Sequence, residues 1–512
     1  MENKCLMLQG TGSTVGKSLL TAALCRIFKQ DGFKVAPFKS QNMALNSFIT
    51  AEGEEMGRAQ VVQAEASGLL PSALMNPILL KPTADTFAQV VIKGRVYKNM
   101  SAAEYQAFKP ALKEMVAEIY NKLEEQNDII VIEGAGSPAE INLKENDLVN
   151  MGMAEIADAP VILIGDIDKG GVFAALAGTM LLLTEEERKR VKGVIINKFR
   201  GDLEILRPGL RMLEDIIKIP VLGVIPYMEL NIDDEDSVTE EFRRREHDPK
   251  REITIEVIHF PYMSNFTDFN VLRHFSDVSL RYVNPGESLQ DPDILILPGS
   301  KNTLKDLLYL RESGLDKQIA AHHEKGKLLI GICGGYQILG QELSDPYHTE
   351  SGLGFSLGLG LLDMHTVFEK EKVTTQVEAC IIDDKFPFIQ GLAAETIEGY
   401  EIHMGVSSPG PGVLPLIAVH SRLGQKIVVT DGVINPAGTV FGTYIHGIFD
   451  NTAFTRKLLN NVRQKKGLLP LEEIPPALKE LKEREYDRLA ACVREHLDMA
   501  WIYENTLGKR IR

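Results

Sequence analysis

Cysteine is scarce and poorly placed for cross-linking: the five cysteines, at 5, 25, 333, 380 and 492, form no CxxC pair and no metal-ligand spacing. An odd count scattered over 512 residues excludes a disulfide framework and fits a reducing cytoplasm. Long apolar runs are lacking too. None reaches about 18 residues, so no membrane-spanning helix is expected. The opening MENKCLMLQGTG has only a few apolar residues before glycine, too few for a secretory signal, and a cytoplasmic location is expected. Positive charge is in deficit, with 56 Lys and Arg against 71 Asp and Glu and a formal charge of -15, which argues against a nucleic-acid partner. Internal repeats and low-complexity tracts are missing, which excludes a repeat architecture.

What remains is an ordinary globular composition, 44% apolar and 25% charged. At 512 residues the chain exceeds the size at which one core keeps growing, so two or more domains are expected. Short apolar runs at 5–8, 35–38, 129–132, 161–164, 194–196 and 221–225 alternate with amphipathic stretches, the longest over 102–125. This pattern predicts a doubly wound α/β domain with a mostly parallel sheet over residues 1–230. Residues 231–251 are charge-dense and predict an exposed linker. A second series of apolar runs, at 253–260, 294–297, 328–332, 427–429 and 440–444, predicts a second α/β domain over 252–450. Beyond it, at 451–512, strand signals give way to Leu, Lys and Glu with Pro470, Pro475 and Pro476, which predicts a helical tail.

The first strand runs into GTGSTVGKS at 10–18, followed by the helix-forming LLTAALCRIFKQ. Glycines let backbone N–H groups turn toward phosphate oxygens, and the helix N-terminus adds partial positive charge. Gly10, Thr14, Gly16, Lys17 and Ser18 are the expected ATP contacts, with Lys17 on the β and γ phosphates and Ser18 a ligand of Mg2+. The loop has one residue more than the commonest form of this motif. In an open α/β sheet, ligands sit beyond the carboxyl ends of strands, which marks Glu133 as a second Mg2+ ligand. Lys39, at the end of the second strand, is a candidate to stabilise a transferring phosphoryl group. Asp147 and Glu55 are further carboxylates for metal or substrate. Lys39, Arg58, Lys169, Lys198 and Arg200 all fall in segments expected at the crevice, a locally positive site on an acidic protein.

In the second domain, LLIGICGGYQILG places Cys333 on a strand-to-helix turn, where a thiol is exposed and its pKa lowered by the helix N-terminus. FGTYIHGIF supplies His446 as general base for that nucleophile. Gly299 and Gly334 are expected to provide oxyanion donors and Gln337 to contact the substrate. Glu401 and His403 in GYEIHMG either shape this site or are structural.

GICGGYQ and GTYIHGIF resemble class I glutamine amidotransferase domains, in which the cysteine attacks the carboxamide of glutamine and ammonia leaves. Many such domains carry a glutamate two residues after the histidine, where this chain has Ile448, so the third partner is unassigned. The loop GTGSTVGKS resembles that of dethiobiotin synthetase-like ligases, which phosphorylate a carboxylate before an amine attacks it. Partition ATPases carry a lysine early in this loop, where Gly12 stands here. FKSQNMALNS, EGAGSPAEINL, GDIDKGGVF, NKFRGD and GYEIHMG, in this order, make nearly the whole chain similar to the cobyric acid synthase family. That resemblance implies amidation of the b, d, e and g carboxylates of adenosylcobyrinic acid a,c-diamide with ATP, Mg2+ and glutamine. It also implies that Asn197 meets the adenine. Glu52 stands where the family pattern has aspartate. The competing readings are cobyrinic acid a,c-diamide synthase and a partition-type switch ATPase with a degenerate amidotransferase domain.

Overall fold

The computed structural model describes residues 4–84, 86–232, 246–350 and 352–509. Most of the expected linker, at 233–245, lies outside the described residues. The first domain is built on a six-stranded, wholly parallel sheet, ordered Val221–Pro226, Val191–Phe199, Val161–Asp166, Cys5–Gly10, Ile129–Glu133, Val35–Phe38. The central strands read as continuous apolar runs because both faces are covered: Cys5–Gly10, Ile129–Glu133 and Val161–Asp166 are buried at every position. Helices lie on each face, so the carboxyl ends of the strands form one crevice, as expected of a doubly wound domain.

The second domain carries a twelve-stranded mixed sheet. Its parallel part joins Val278–Val283, an edge strand that was not predicted, to Ile253–Ile258, Ile294–Leu297, Leu328–Ile332 and Val440–Thr443, which follow predicted apolar runs. The rest is antiparallel except where Glu342–Ser344 runs parallel to Met364–Ile381, and of it only the run at 427–429, within Gln425–Ile434, was expected. Met364–Ile381 pairs with Ile397–Pro409 and Leu414–Arg422 along a hairpin stack whose polar outer positions alternate with buried ones. A four-stranded sheet, Gln41–Met43, Ile78–Ala84, Phe87–Ile92 and Arg95–Ser101, was likewise not predicted; the first five residues of its edge strand are exposed and carry no core signal.

The tail helices divide between the domains. In Thr452–Lys465, Phe454, Leu458, Leu459 and Val462 join the core of the second domain. Leu478–His496 returns to the first, burying Tyr486, Leu489 and Val493 against Leu20, Leu24 and Phe28 of the P-loop helix Lys17–Gln30. Arg26 of that helix pairs with Glu483 and Asp487 of the tail, both at 2.8 Å. No helix among the described residues is long and apolar enough to cross a membrane.

Candidate active site

The phosphate loop turns out of Cys5–Gly10 and enters Lys17–Gln30 through Gly16, whose φ is 95°. A Cβ there would lie 2.2 Å from Asn197 Nδ2, so both conformation and space demand glycine. Asn197 donates from Nδ2 to the Val15 carbonyl at 2.8 Å and thus supports the loop from below. Lys17 Nζ donates to the carbonyls of Gly12, Ser13 and Gly136 at 2.7, 3.2 and 3.1 Å, so its ammonium lies over the loop. Thr14 is flanked by two more cations: Lys169 Nζ meets its hydroxyl at 2.5 Å and Lys198 Nζ its carbonyl at 2.6 Å. Arg200 stacks 3.4 Å from the Tyr227 ring and pairs with Asp168 at 3.2 Å.

Glu133 terminates its strand at the centre of this crevice and is 1% exposed. Its Oε1 accepts from Ser18 Oγ at 2.8 Å and from Lys39 Nζ at 2.9 Å. Its Oε2 accepts from Gln63 Nε2 at 2.6 Å and Gln60 Nε2 at 3.4 Å. Ser18, Lys39 and Glu133 therefore converge, while Gln60 and Gln63, on the helix Arg58–Ser67, were missed because buried glutamines carry no motif. No group of three His, Cys, Asp or Glu side chains with metal-binding geometry exists among the described residues. Ser18 and Glu133 suit Mg2+, which takes one or two protein oxygens and fills its octahedron with phosphate and water.

Two sequence expectations need correction. Glu55 is not at the P-loop: it is buried between Lys81 at 2.7 Å and Lys372 of the second domain at 2.6 Å, both oxygens occupied by ion pairs. Arg58 lies between the domains, its guanidinium 5.3 Å from the Phe48 ring and Nη2 donating to Thr267 Oγ1 at 3.3 Å. Asp147 accepts from the backbone N–H groups of Val149, Asn150 and Gly152 and serves as a turn cap.

Cys333 sits between Leu328–Ile332 and the short helix Gly334–Ile338 with φ 50° and ψ -107°, a strained conformation for a residue with a Cβ. The turn is held by Cys333 N–H donating to the Thr443 carbonyl at 2.8 Å. The next residue must be small, because a Cβ on Gly334 would lie 2.8 Å from the Ser300 nitrogen. His446 faces this turn from the strand Ile445–His446, and a Cβ on Gly299 would lie 3.1 Å from its Cε1. Its Nδ1 bonds Asp268 Oδ2 at 2.6 Å, and Asp268 Oδ1 accepts from Gly447 N–H at 3.1 Å. Asp268, on the 3-10 segment Phe266–His274, thus occupies the place that Ile448 left open. Tyr400 stacks on the imidazole at 5.2 Å with an interplanar angle of 16°. Burial opposes charging His446, but Asp268 and the Cys333 sulfur more than offset it and raise its pKa to about 10. Its Nε2 is buried with no hydrogen-bond partner among the described residues.

Gln337 is fixed by Thr303 Oγ1 donating to its Oε1 and by its Nε2 donating to Tyr444 Oη, each at 3.2 Å. Beside Cys333 a cavity of about 40 Å3 is lined by Gln337, Lys301, Glu350 and Lys372 of the second domain and by Lys81 of the first. His403 lines the same cavity and stacks on Tyr444 at 3.8 Å, and burial pushes its pKa down to about 4. Glu401 pairs with Arg422 at 2.8 Å. The segment bearing Asp268 is held by the first domain: Ser47 N–H donates to Asn265 Oδ1 and Phe266 N–H donates to Asn46 Oδ1, besides the Arg58–Thr267 bond.

A nucleotide-binding domain joined to a glutamine amidotransferase domain is the class that this fold and these two sites define. Family models agree: a CobQ/CobB/MinD/ParA nucleotide binding domain matches residues 6–237 and a CobB/CobQ-like glutamine amidotransferase domain matches residues 254–454. The chain is 57% identical to cobyric acid synthase of Alkaliphilus metalliredigens (strain QYMF) over 98% of its own length and 100% of the relative. It is 58% identical to that of Thermoanaerobacter sp. (strain X514), over 98% of each chain. A Clostridium botulinum (strain ATCC 19397 / Type A) cobyric acid synthase is 56% identical over 97% of this chain and 98% of the relative. The chain belongs to the cobyric acid synthase family.

Proposed function

We propose that this enzyme amidates the b, d, e and g carboxylates of adenosylcobyrinic acid a,c-diamide, using ATP for activation and glutamine as the nitrogen source. The observation that carries this reading is the placement of Lys81, a residue of the ATP-binding half, in the wall of the cavity beside Cys333. Two half-reactions that would each be wasteful alone are joined on one chain, and this shared wall supports their coupling.

In the glutaminase half, Cys333 gives its thiol proton to His446 and the thiolate attacks the side-chain carbonyl carbon of glutamine. The oxyanion is received near the backbone of Gly299 and Gly334, His446 delivers a proton to the departing nitrogen, and the C–N bond breaks to leave a thioester and ammonia. Water then cleaves the thioester to glutamate. Asp268 positions the imidazole and favours its protonated form, the task of an acidic third partner. Gln337 orients the substrate.

In the ligase half, a carboxylate oxygen of the corrinoid attacks the γ-phosphorus of ATP, ADP leaves, and ammonia displaces phosphate from the acyl phosphate. The backbone of the 10–18 loop and Lys17 hold the phosphates, and Lys39 offsets charge on the transferring group. Mg2+, held by Ser18 and Glu133, would supply Lewis-acid polarisation of the phosphate oxygens. Asn197 supports the loop against the nucleotide. The reading is tested by incubating the enzyme with ATP, Mg2+, glutamine and each corrinoid acid in turn. Consumption of adenosylcobyrinic acid a,c-diamide with matching release of glutamate, ADP and phosphate is expected. Consumption of cobyrinic acid instead would assign the a,c-diamide synthase reaction, and ATP hydrolysis with no amide would assign a switch ATPase.

A further inference from the structure

The strand Ile78–Ala84 separates two cavities. Its side chains alternate across the four-stranded sheet, as strand geometry requires: Lys81 faces the cavity beside Cys333, whereas Leu80 and Pro82 face a second cavity of about 450 Å3. The neighbouring strand Phe87–Ile92 repeats the pattern, with Gln89 approaching Lys372 and Met404 on the glutaminase side and Ala88 and Val90 on the other. The second cavity extends to Ser13 and Gly136, the two residues whose carbonyls hold the Lys17 ammonium beside Gly12. It is therefore bounded at one end by the phosphate loop and lies one strand away from the source of ammonia.

Its walls are apolar, with Leu80, Val90 and Met100 inside and Met43 and Phe87 at the mouth, where they are 58% and 49% exposed. Charged side chains interrupt them at one side, where Lys144, paired with Glu187, and the carboxylates of Glu140 and Asp147 also line the cavity. Lys109, on the helix Ala102–Gln126, lines the cavity and is only 6% exposed. Its Nζ has no hydrogen-bond or ion-pair partner among the described residues; it lies 5.9 Å from the Tyr105 ring centroid. Burial pushes its pKa down, and the charge of Asp147, which lines the same cavity without pairing with it, opposes this. A buried ammonium without a counter-ion is unfavourable unless a ligand supplies one.

We infer that this cavity receives an edge of the corrin macrocycle and that Lys109 pairs with one of its peripheral carboxylates while a neighbouring carboxylate reaches the phosphate loop. The assignment rests on the corrinoid reading above. The size and apolar lining suit part of a macrocycle, and a small number of polar groups set its orientation. Apolar walls match the ring edge, and Lys109, the lining cation that is buried and outside any ion pair, matches a polyacid on a protein of net charge -15.

The test compares the corrinoid acid with its b,d,e,g-amidated product, which keeps the ring and the f carboxylate but none of the four carboxylates that the enzyme converts, so that Lys109, paired with one of those four, loses its partner. In Lys109→Met, KM for the acid should rise about tenfold, as expected for loss of a charge-assisted contact. The KM values for ATP and glutamine, and competitive inhibition by the amidated product, should stay unchanged. Phe87→Glu, at an exposed mouth position that folding tolerates, should weaken acid and product alike. The assignment is overturned if Lys109→Met alters acid and product equally, if it alters neither, or if Phe87→Glu leaves both unchanged. A wild-type enzyme that amidates no corrinoid would overturn the underlying function instead, a result distinct from either.

Discussion

Replacing Asp268 by Asn isolates the residue that completes the glutaminase site. The change keeps the side-chain volume and an oxygen for the Gly447 N–H but removes the charge that faces His446 Nδ1 at 2.6 Å. His446 is raised from 6.5 to about 10 against the opposing effect of burial, roughly a three-thousandfold gain in proton affinity. Asp268 supplies both of the leading favourable contributions, its charge and its hydrogen bond, with Cys333 adding the rest. Glutamine-dependent amidation by Asp268→Asn should therefore fall by about 10² to 10³-fold, within the range seen when an acidic third partner is neutralised. Ammonium-dependent amidation should stay within about twofold. The sign of the pH effect follows from the direction of the shift. The raised pKa keeps the imidazolium at neutral pH and loses it only as pH rises through about 10. The stabilisation of the fold by this pair is likewise full below pH 6.5 and lost over that rise. In the variant the loss occurs at lower pH, so the deficit in kcat/KM for glutamine should grow between about pH 6 and pH 9. Glutamine-dependent activity within about threefold of wild type, or a deficit independent of pH, would refute the role given to Asp268.

Other sites make separate demands. Lys39→Met should lower amidation with either nitrogen source by about 10²-fold while leaving glutamine hydrolysis near wild type; equal loss of both activities contradicts its place beside Glu133. Gly16→Ala forces a Cβ to 2.2 Å from Asn197 Nδ2 in a left-handed conformation, so KM for ATP should rise by about tenfold or more at a stability cost of about 1–2 kcal/mol. An unchanged KM would show that the loop is not the nucleotide site. Glu55→Gln leaves the ammonium groups of Lys81 and Lys372 buried without their common counter-charge. Urea unfolding should show a loss of about 3–5 kcal/mol, and a shift under about 1 kcal/mol would mean that the ion pairs contribute little.

Local motifs made most of the chemistry legible. The 10–18 loop, Glu133 at a strand end and Cys333 before two glycines each declare themselves within one turn of chain, because phosphate cradling and a nucleophile on a sharp turn both need a fixed backbone geometry; the thiol itself is buried, not exposed as expected. Asp268 did not, since it comes from a 3-10 segment 178 residues before His446 and is brought to the imidazole only by tertiary packing. The one signal was negative, Ile448 in the place of an acid. Glu55 was misread for the complementary reason: a carboxylate in a motif-rich segment resembles a ligand until Lys372, 317 residues away, is seen to neutralise it. Most parallel strands were readable as buried apolar runs, but Val278–Val283, interrupted by Ser279 and Arg281, was missed, and Arg95–Ser101, exposed at its first five positions, gave no core periodicity. Lys109 lay unremarked within an amphipathic helix because its lack of a partner is a property of the fold alone.

The division of labour between the two halves is tested most directly by Cys333→Ala assayed first with glutamine and then with an ammonium salt. The account predicts that glutamine-dependent amidation falls by roughly a thousandfold or more while the ammonium-dependent rate stays within about twofold of wild type. Loss of both activities, or survival of the glutamine-dependent one, would contradict it.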